Sequence, residues 1–348
     1  MPTTEATRRT SDALLARFEG QGAQRIEADV LQPAEVLLDL YGEDIRARAY
    51  VTQDPLRGEL MLRPDFTVPV VQMHMEAGHD TARYTYAGSV FRRQEADASR
   101  PSEYPQVGYE VFNGTTPPER AEAELFAAFH GALAGLGLTA VLGDMAILRA
   151  AVAALQTTAH RRAALMRHLW RPARFRALLD RYSAPTPGPQ APVSGPEIGL
   201  RSGAEVAERR ARMAVDAEAA AIDPELRHAL ERLMEIAGPL PEAVAELTTA
   251  AEDMPGTAAP VAQLRRRVAA LEEAGIATEA LQFEVVYGRT SLEYYDGFVF
   301  GFSAPDLPRV ASGGRYDALT RILGQGRNVP AVGGVIRPDL VAALEGGA

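Results

Sequence analysis

The stretch VVYGRTSLEYYDGFVFGF, residues 285–302, sets two adjacent tyrosines and an acid ahead of a glycine, with Arg289 beside a threonine. Such a run has the look of a strand lining a ligand. Three other stretches carry side chains suited to holding a small polar molecule: LRPDFT (62–67), SVFRR (89–93) leading into YPQVGYEVF (104–112), and ASGGRYD (311–317). Each has a plain explanation by itself. Adjacent tyrosines pack well in a strand, GGRYD suits a turn before a helix, LRPD is a strand exit ended by Pro64, and Glu110 alone reads as a solvated strand position. Their coincidence in one chain points instead to a shared pocket.

Composition narrows the chemistry. The chain has 348 residues, a net charge of −10 and no cysteine, and all 36 of its basic residues are arginine. Schiff-base lysines, P-loop lysines and thiolate nucleophiles are therefore excluded. The six histidines form no HExxH pair, so no protein-bound metal is expected, and neither a GxSxG elbow nor a P-loop appears. An acidic chain disfavours a broad nucleic-acid surface, because phosphate binding rests on clustered cations. The run RRAALMRHLWRPARFR (161–176) reads as a solvated helical face, given the arginine bias. No apolar run approaches the ~20 residues of a membrane span, and the N-terminus lacks the apolar core of a secretory signal. With no cysteine, an intracellular, cytoplasmic protein is expected.

These residues need a scaffold. Residues 11–41 carry helical spacing through Leu14, Leu15 and Phe18, then Val36, Leu37 and Leu40. Strand-like segments flank a turn at DPLRGE, and TVPVVQMHM opens a buried helix or strand. RYTYAGSVFRRQE and YPQVGYEVFNG suggest two antiparallel strands, followed by a helix over 119–136. Composition shifts near Gly143: residues 144–182 and 203–274 are helical in period, separated by APTPGPQAPVSGP (184–196), whose five prolines make it a loop. Strand character returns at LQFEVVYG (281–288) and continues through GFVFGF, ASGGRYDALTRILG and VPAVGGVIRP. The chain thus reads as an α+β core, residues 1–142 and 281–348, interrupted by a helical insertion over 143–280.

Taken in order, the four stretches resemble the catalytic core of histidyl-tRNA synthetases, over roughly residues 11–142 and 281–343. The resemblance implies a class II synthetase-like antiparallel sheet flanked by helices. LRPDFT is similar to the family's LRPEGT, so Asp65 and Thr67 would hold an α-ammonium, although Asp65 is one methylene shorter and Phe66 replaces a glycine. YPQVGYEVF resembles FHQLGCEVF, placing Gln106 near the ammonium and Glu110 on an imidazole. SLEYYDG resembles LDYYN and makes Tyr295 the second imidazole partner. A carboxylate and a phenol would then satisfy the two ring nitrogens while an aspartate balances the ammonium.

The pattern breaks where that family activates histidine, a step that needs cations on the α-phosphate. Arg92 matches one of three arginines. The second would stand at Thr290, with Arg289 displaced by one residue, so strand alternation should turn Arg289 away from the ligand. The third falls at Leu340 in GGVIRPDLV, with Arg337 three residues early and followed by Pro338. The loop motif ERPQ has become QEAD (94–97), while Arg100 survives as an anion-binding remnant beside Arg92. Nothing after residue 348 supplies an anticodon-binding domain, so aminoacylation is not expected. This combination resembles the regulatory subunits of short-form ATP phosphoribosyltransferases. It implies a non-catalytic chain without a cofactor, a catalytic-subunit partner, histidine as effector, and a dimer through Pro33–Leu40. An adenylate-forming enzyme, and an assembly scaffold with a vestigial pocket, are the alternatives.

Overall fold

The structure, a computed structural model, describes residues 4–41, 45–94, 101–185, 202–290 and 294–347. Helix α1 (Thr4–Glu19) buries Leu14, Leu15 and Phe18, the predicted apolar stripe. Two short strands, β1 (Gln24–Arg25) and β2 (Leu31–Pro33), lead to helices α2 (Ala34–Tyr41) and α3 (Ile45–Arg48). Strands β3 (Val51–Asp54) and β4 (Gly58–Leu62) form the expected hairpin. Its turn closes because the Asp54 carboxylate accepts from the amides of Leu56 and Arg57, both at 2.9 Å. Gly58 there takes a φ of 77° that side chains avoid. Strands β2, β4 and β3 make a separate three-stranded sheet.

Helix α4 (Thr67–Ala77) follows, ended by left-handed Gly78. Then come β5 (Thr81–Phe91) and β6 (Glu103–Asn113), antiparallel in unbroken register from Thr81↔Asn113 to Phe91↔Glu103. After α5 (Pro118–Ala132) and β7 (Thr139–Asp144) the chain turns helical: α6 (Met145–Ala153), α7 (Ala159–Arg167), α8 (Pro172–Tyr182), α9 (Gly203–Glu218) and α10 (Pro224–Glu235). Strand β8 (Ala237–Pro239) interrupts before α11 (Leu240–Asp253) and α12 (Ala258–Glu273). The chain returns through β9 (Gln282–Glu284), a 3-10 turn at Tyr287–Thr290, β10 (Phe298–Ser303), β11 (Ala311–Arg315), α13 (Asp317–Leu323), β12 (Ala331–Ile336) and α14 (Pro338–Glu345). No described helix is long and apolar enough to cross a membrane.

The nine-stranded sheet runs β1-β5-β6-β12-β11-β10-β7-β9-β8, antiparallel except at β1/β5 and β7/β9. Alternation along its strands creates two unlike faces. One is aromatic: Tyr109 stacks on Phe18 at 4.9 Å, and Phe300 meets Phe126 and Phe129 of α5 at 5.6 and 5.2 Å. The other face carries Tyr84 opposite Glu110, with glycines opposite Tyr86 (Gly108), Gln106 (Gly88) and, on β12, Glu110 (Gly333), and this is where the candidate site residues lie.

Helix α12 docks on α5 through a buried chain of charges. Arg267 pairs with Glu122 and, at 2.8 Å, with Asp144, while Arg315 pairs with Glu122 and, at 3.0 Å, with Asp317. Asp144 also caps α6 by accepting from the Ala146 amide at 2.8 Å. Each carboxylate thus meets a guanidinium or an amide, the condition under which burial of charge is tolerated.

Three local expectations are corrected. Strand β9 stops at Glu284, and residues 287–290 form a 3-10 turn rather than a continuing strand. Of ASGGRYDALTRILG only Ala311–Arg315 is strand, as β11, while Asp317–Leu323 turns helical as α13. In the arginine run, Arg161 is fully buried: its Nε meets Asp216 at 2.5 Å, its Nη1 meets the Ala220 carbonyl at 2.9 Å, and its guanidinium lies over Tyr182. Exposed Arg167, Arg174 and Arg176 fit the solvated face.

Candidate functional site

The site is built around one carboxylate. Glu110, midway along β6, is fully buried. Its Oε1 accepts hydrogen bonds from the hydroxyls of Thr67 (2.9 Å) and Tyr86 (2.7 Å), and its Oε2 accepts from Tyr316 (2.5 Å). These three come from separate elements: Thr67 opens α4, Tyr86 stands on β5 opposite Gly108, and Tyr316 lies between β11 and α13. Burial pushes the Glu110 carboxyl up to about 7; the three hydroxyls oppose that rise, and nearby Asp65 adds to it.

Room for this side chain comes from glycines. Gly333 of β12 faces Glu110 across the ladder, and a Cβ at that position would overlap Oε2. A Cβ at Gly108 would strike the Tyr86 ring, and one at Gly314 would press on Tyr295. Absence of side chains on the sheet lets a layer of phenols and a carboxylate lie against it.

Asp65, at the β4–α4 junction, is buried and accepts from the Val68 amide at 3.1 Å, at the positive end of α4. Tyr295 is buried edge-on to Tyr294 at 4.8 Å, and its hydroxyl proton is held more tightly, first by burial and then by the charges of Glu110 and Asp65. Asp65, Thr67, Glu110 and Tyr295 therefore converge. Gln106 shares Glu110's strand face four residues away, roughly 13 Å along the strand; it is buried with an unpartnered Oε1.

The cations fall differently. The Nε of Arg92 donates to the Pro64 carbonyl at 2.8 Å, and its guanidinium stands 5.8 Å from the Tyr104 ring. Arg337 covers Tyr104 at 4.3 Å and pairs with Asp339 at 2.5 Å. Pro338 starts α14 well, since the first helical turn needs no N–H from it. Arg289 points toward the α7–α8 segment, where its Nε donates to the Leu169 carbonyl at 2.8 Å and its guanidinium lies over Phe175. It does turn away from the pocket, through the 3-10 turn rather than through strand alternation. Arg100 and residues 95–97 lie outside the described residues.

Three contributors have no clear mark in the sequence. Tyr316 belongs to the GGRYD motif, whose residue types suit a turn as well as a site. Tyr86 shows only as an alternating strand position. Phe66, where the resembling family has a glycine, stacks on the Tyr86 ring at 4.4 Å and is itself covered by the Arg63 guanidinium at 3.9 Å.

Comparison with known proteins gives the family and the fold. The family model for histidyl-tRNA synthetase matches residues 2–187 and 200–341. The ATP phosphoribosyltransferase regulatory subunit of Agrobacterium fabrum is 32% identical, over 96% of both chains. The chain belongs to the ATP phosphoribosyltransferase regulatory subunits, within the histidyl-tRNA synthetase family. The regulatory subunit of Rhizobium rhizogenes is 31% identical over 92% of this family member and 93% of that protein. In fold, it is similar to a Bacillus halodurans protein described as an ATP phosphoribosyltransferase regulatory subunit/histidyl-tRNA synthetase. That match has a TM-score of 0.72 at 20% identity and covers 98% of this chain and 79% of that one. Histidyl-tRNA synthetase from Nostoc sp. PCC 7120 gives a TM-score of 0.67 at 16% identity, covering 99% and 73%. The class II synthetase-like fold expected from the motifs is the fold observed.

Proposed function

We propose that this chain is a non-catalytic, cytoplasmic regulatory subunit of ATP phosphoribosyltransferase, acting in the first step of histidine biosynthesis. It partners the short-form catalytic subunit and binds histidine as a feedback effector. Residues 143–280 are an insertion in its synthetase-like core, and it self-associates as a dimer through Pro33–Leu40. The observation carrying the reading is the buried Glu110, held by three hydroxyls, while Arg289 and Arg337 are engaged away from it.

An ionised carboxylate offers roughly four acceptor positions, of which three are used here. The remaining one suits a single ring N–H. Asp65 supplies charge for the ammonium, and Tyr295 and Gln106 add polar contacts on the same side of the sheet. Adenylation would require a guanidinium fixed on the α-phosphate. Arg337 is committed to Asp339, and Leu340 occupies the position where the family's arginine stands, with neither its charge nor its donors.

Feedback requires that histidine bind two arrangements of the complex with different affinity, typically by about 1–3 kcal/mol. The test is reconstitution: the purified chain is added to a short-form catalytic subunit, and transferase activity is followed with and without histidine. Activity that depends on the chain and falls with histidine supports the proposal. Activity indifferent to the chain refutes it, and histidine-dependent ATP–pyrophosphate exchange by the chain alone would replace it with the adenylating enzyme.

A further inference from the structure

The arginine-rich start of the insertion takes no part in the histidine site. From Ala159 to Tyr182 the sequence holds seven arginines and one aspartate, within a chain of net charge −10. Beside it lies Arg289, only 8% exposed. Among the described residues its Nε donates to the Leu169 carbonyl, its Nη1 reaches no better acceptor than the Met234 sulfur at 3.8 Å, and its Nη2 is buried with no partner. Among the described residues no carboxylate pairs with it. Burial, and after it the charge of another cation, the exposed Arg176 of α8, lower the affinity of Arg289 for its proton. Glu293, the nearest acid in sequence, lies outside the described residues.

A buried guanidinium without a counter-charge is costly, and native chains pair or neutralise such groups. A second orphan donor sits in the same segment: the Trp170 indole Nε1 is buried and unpartnered among the described residues, one residue from the carbonyl that holds Arg289. An indole and a guanidinium only donate. Unmet donors and two cations, with no carboxylate paired to Arg289 among the described residues, together describe a site suited to an oxyanion.

We infer that the junction between the Tyr287–Thr290 turn and residues 169–176 is a binding site for a phosphate group, distinct from the histidine pocket. Arg289 provides the buried end of the site and Arg176 the exposed mouth. The planar fork of Arg289 matches two phosphate oxygens at once. The phosphate belongs to free phosphate or pyrophosphate, or to a nucleoside monophosphate; the recognising chemistry is the same.

The test uses the full chain without histidine, at constant ionic strength. Thermal midpoints and calorimetric affinities are measured with inorganic phosphate, pyrophosphate and AMP as separate arms, and with a short single-stranded oligonucleotide as a fourth. A saturable rise in midpoint with at least one small phosphate is expected, the tightest arm naming the source. Arg289→Met should bind it more than about tenfold more weakly and melt higher than the parent in phosphate-free buffer, because it removes an uncompensated charge. Arg176→Gln, at an exposed position, should fold as the parent does and bind more weakly, and it decides the matter if Arg289→Met does not fold. Parent-like phosphate responses in the variants overturn the proposal. So does a rise seen only with the oligonucleotide, or a fall in midpoint for Arg289→Met that is the same with and without phosphate. Destabilisation by Glu293→Gln that Arg289→Met abolishes would place the counter-charge within the chain and overturn the proposal as well.

Discussion

The Glu110 carboxylate lies directly over Gly333, its partner across the β6/β12 ladder, and occupies the space a methyl group would need. Gly333→Ala must therefore displace the carboxylate or shift two strands that have no slack. Overpacking of this kind costs about 1–3 kcal/mol. Urea denaturation of the variant at neutral pH should show that loss, together with a reduced histidine response; parent-like values for both would mean that the close approach has no consequence.

Tyr86 places a second constraint on the same group. Its hydroxyl donates to Glu110 at 2.7 Å while its ring is pinned between Gly108 and Phe66. A hydrogen bond to a charged acceptor contributes about 1.5–3 kcal/mol, and one to a neutral acceptor about 0.5–1.5. Tyr86→Phe should accordingly be more destabilising at pH 8, where Glu110 is ionised, than at pH 5, where it is protonated. Equal losses at both values would remove the charge from the explanation.

Acidity itself is a readout. Burial raises the Glu110 carboxyl from its ordinary 4.5 to about 7, and that of Asp296 from 3.8 to about 6. The unfolded chain gives up both protons more readily. Their contribution to stability is fully present below pH ~4 and is lost as pH rises through 6 to 7. Glu110→Gln cannot titrate; its stability relative to the parent should improve between pH 4.5 and 8. A difference that stays flat across that window would contradict the raised pKa.

Arg267 bridges Glu122 and Asp144 with almost no exposure, linking α12 to α5 and the end of β7. Removing one member of a buried pair typically costs about 3–5 kcal/mol, because the remaining charge is stranded. Arg267→Ala should lower the thermal midpoint far more than Arg174→Ala, at an exposed position of α8. Comparable midpoints for the two would show that the network bears little of the stability.

Much of the fold is legible in the sequence, for identifiable reasons. The β5/β6 pair declares itself through the alternation in RYTYAGSVFRRQE and the YPQVGYEVFNG run that follows a polar loop, and the 54–58 turn through an aspartate and a glycine at the right spacing. Asp65, Thr67, Glu110 and Tyr295 follow from the order of the motifs. What the sequence hides depends on contacts between distant residues. Tyr316 reaches Glu110 across 206 residues, and Phe66 matters only because Tyr86 lies beside it. The turn at 287–290 is masked because apolar VVY followed by Gly-Arg reads as a strand with period-two spacing. Tertiary packing overrides that local preference, with Tyr287 laid over Gly143 and Gly288 pressed on Met145.

The central claim is that a carboxylate held by three hydroxyls reads histidine. Calorimetric titration of L-histidine into the purified chain, repeated with Glu110→Ala and Asp65→Ala, tests it most directly. Saturable binding of one histidine per chain, lost or weakened more than about tenfold in both variants while assembly with the catalytic subunit persists, is the predicted result. Histidine binding that both variants retain at parental affinity, or no binding by the parent, would contradict the account.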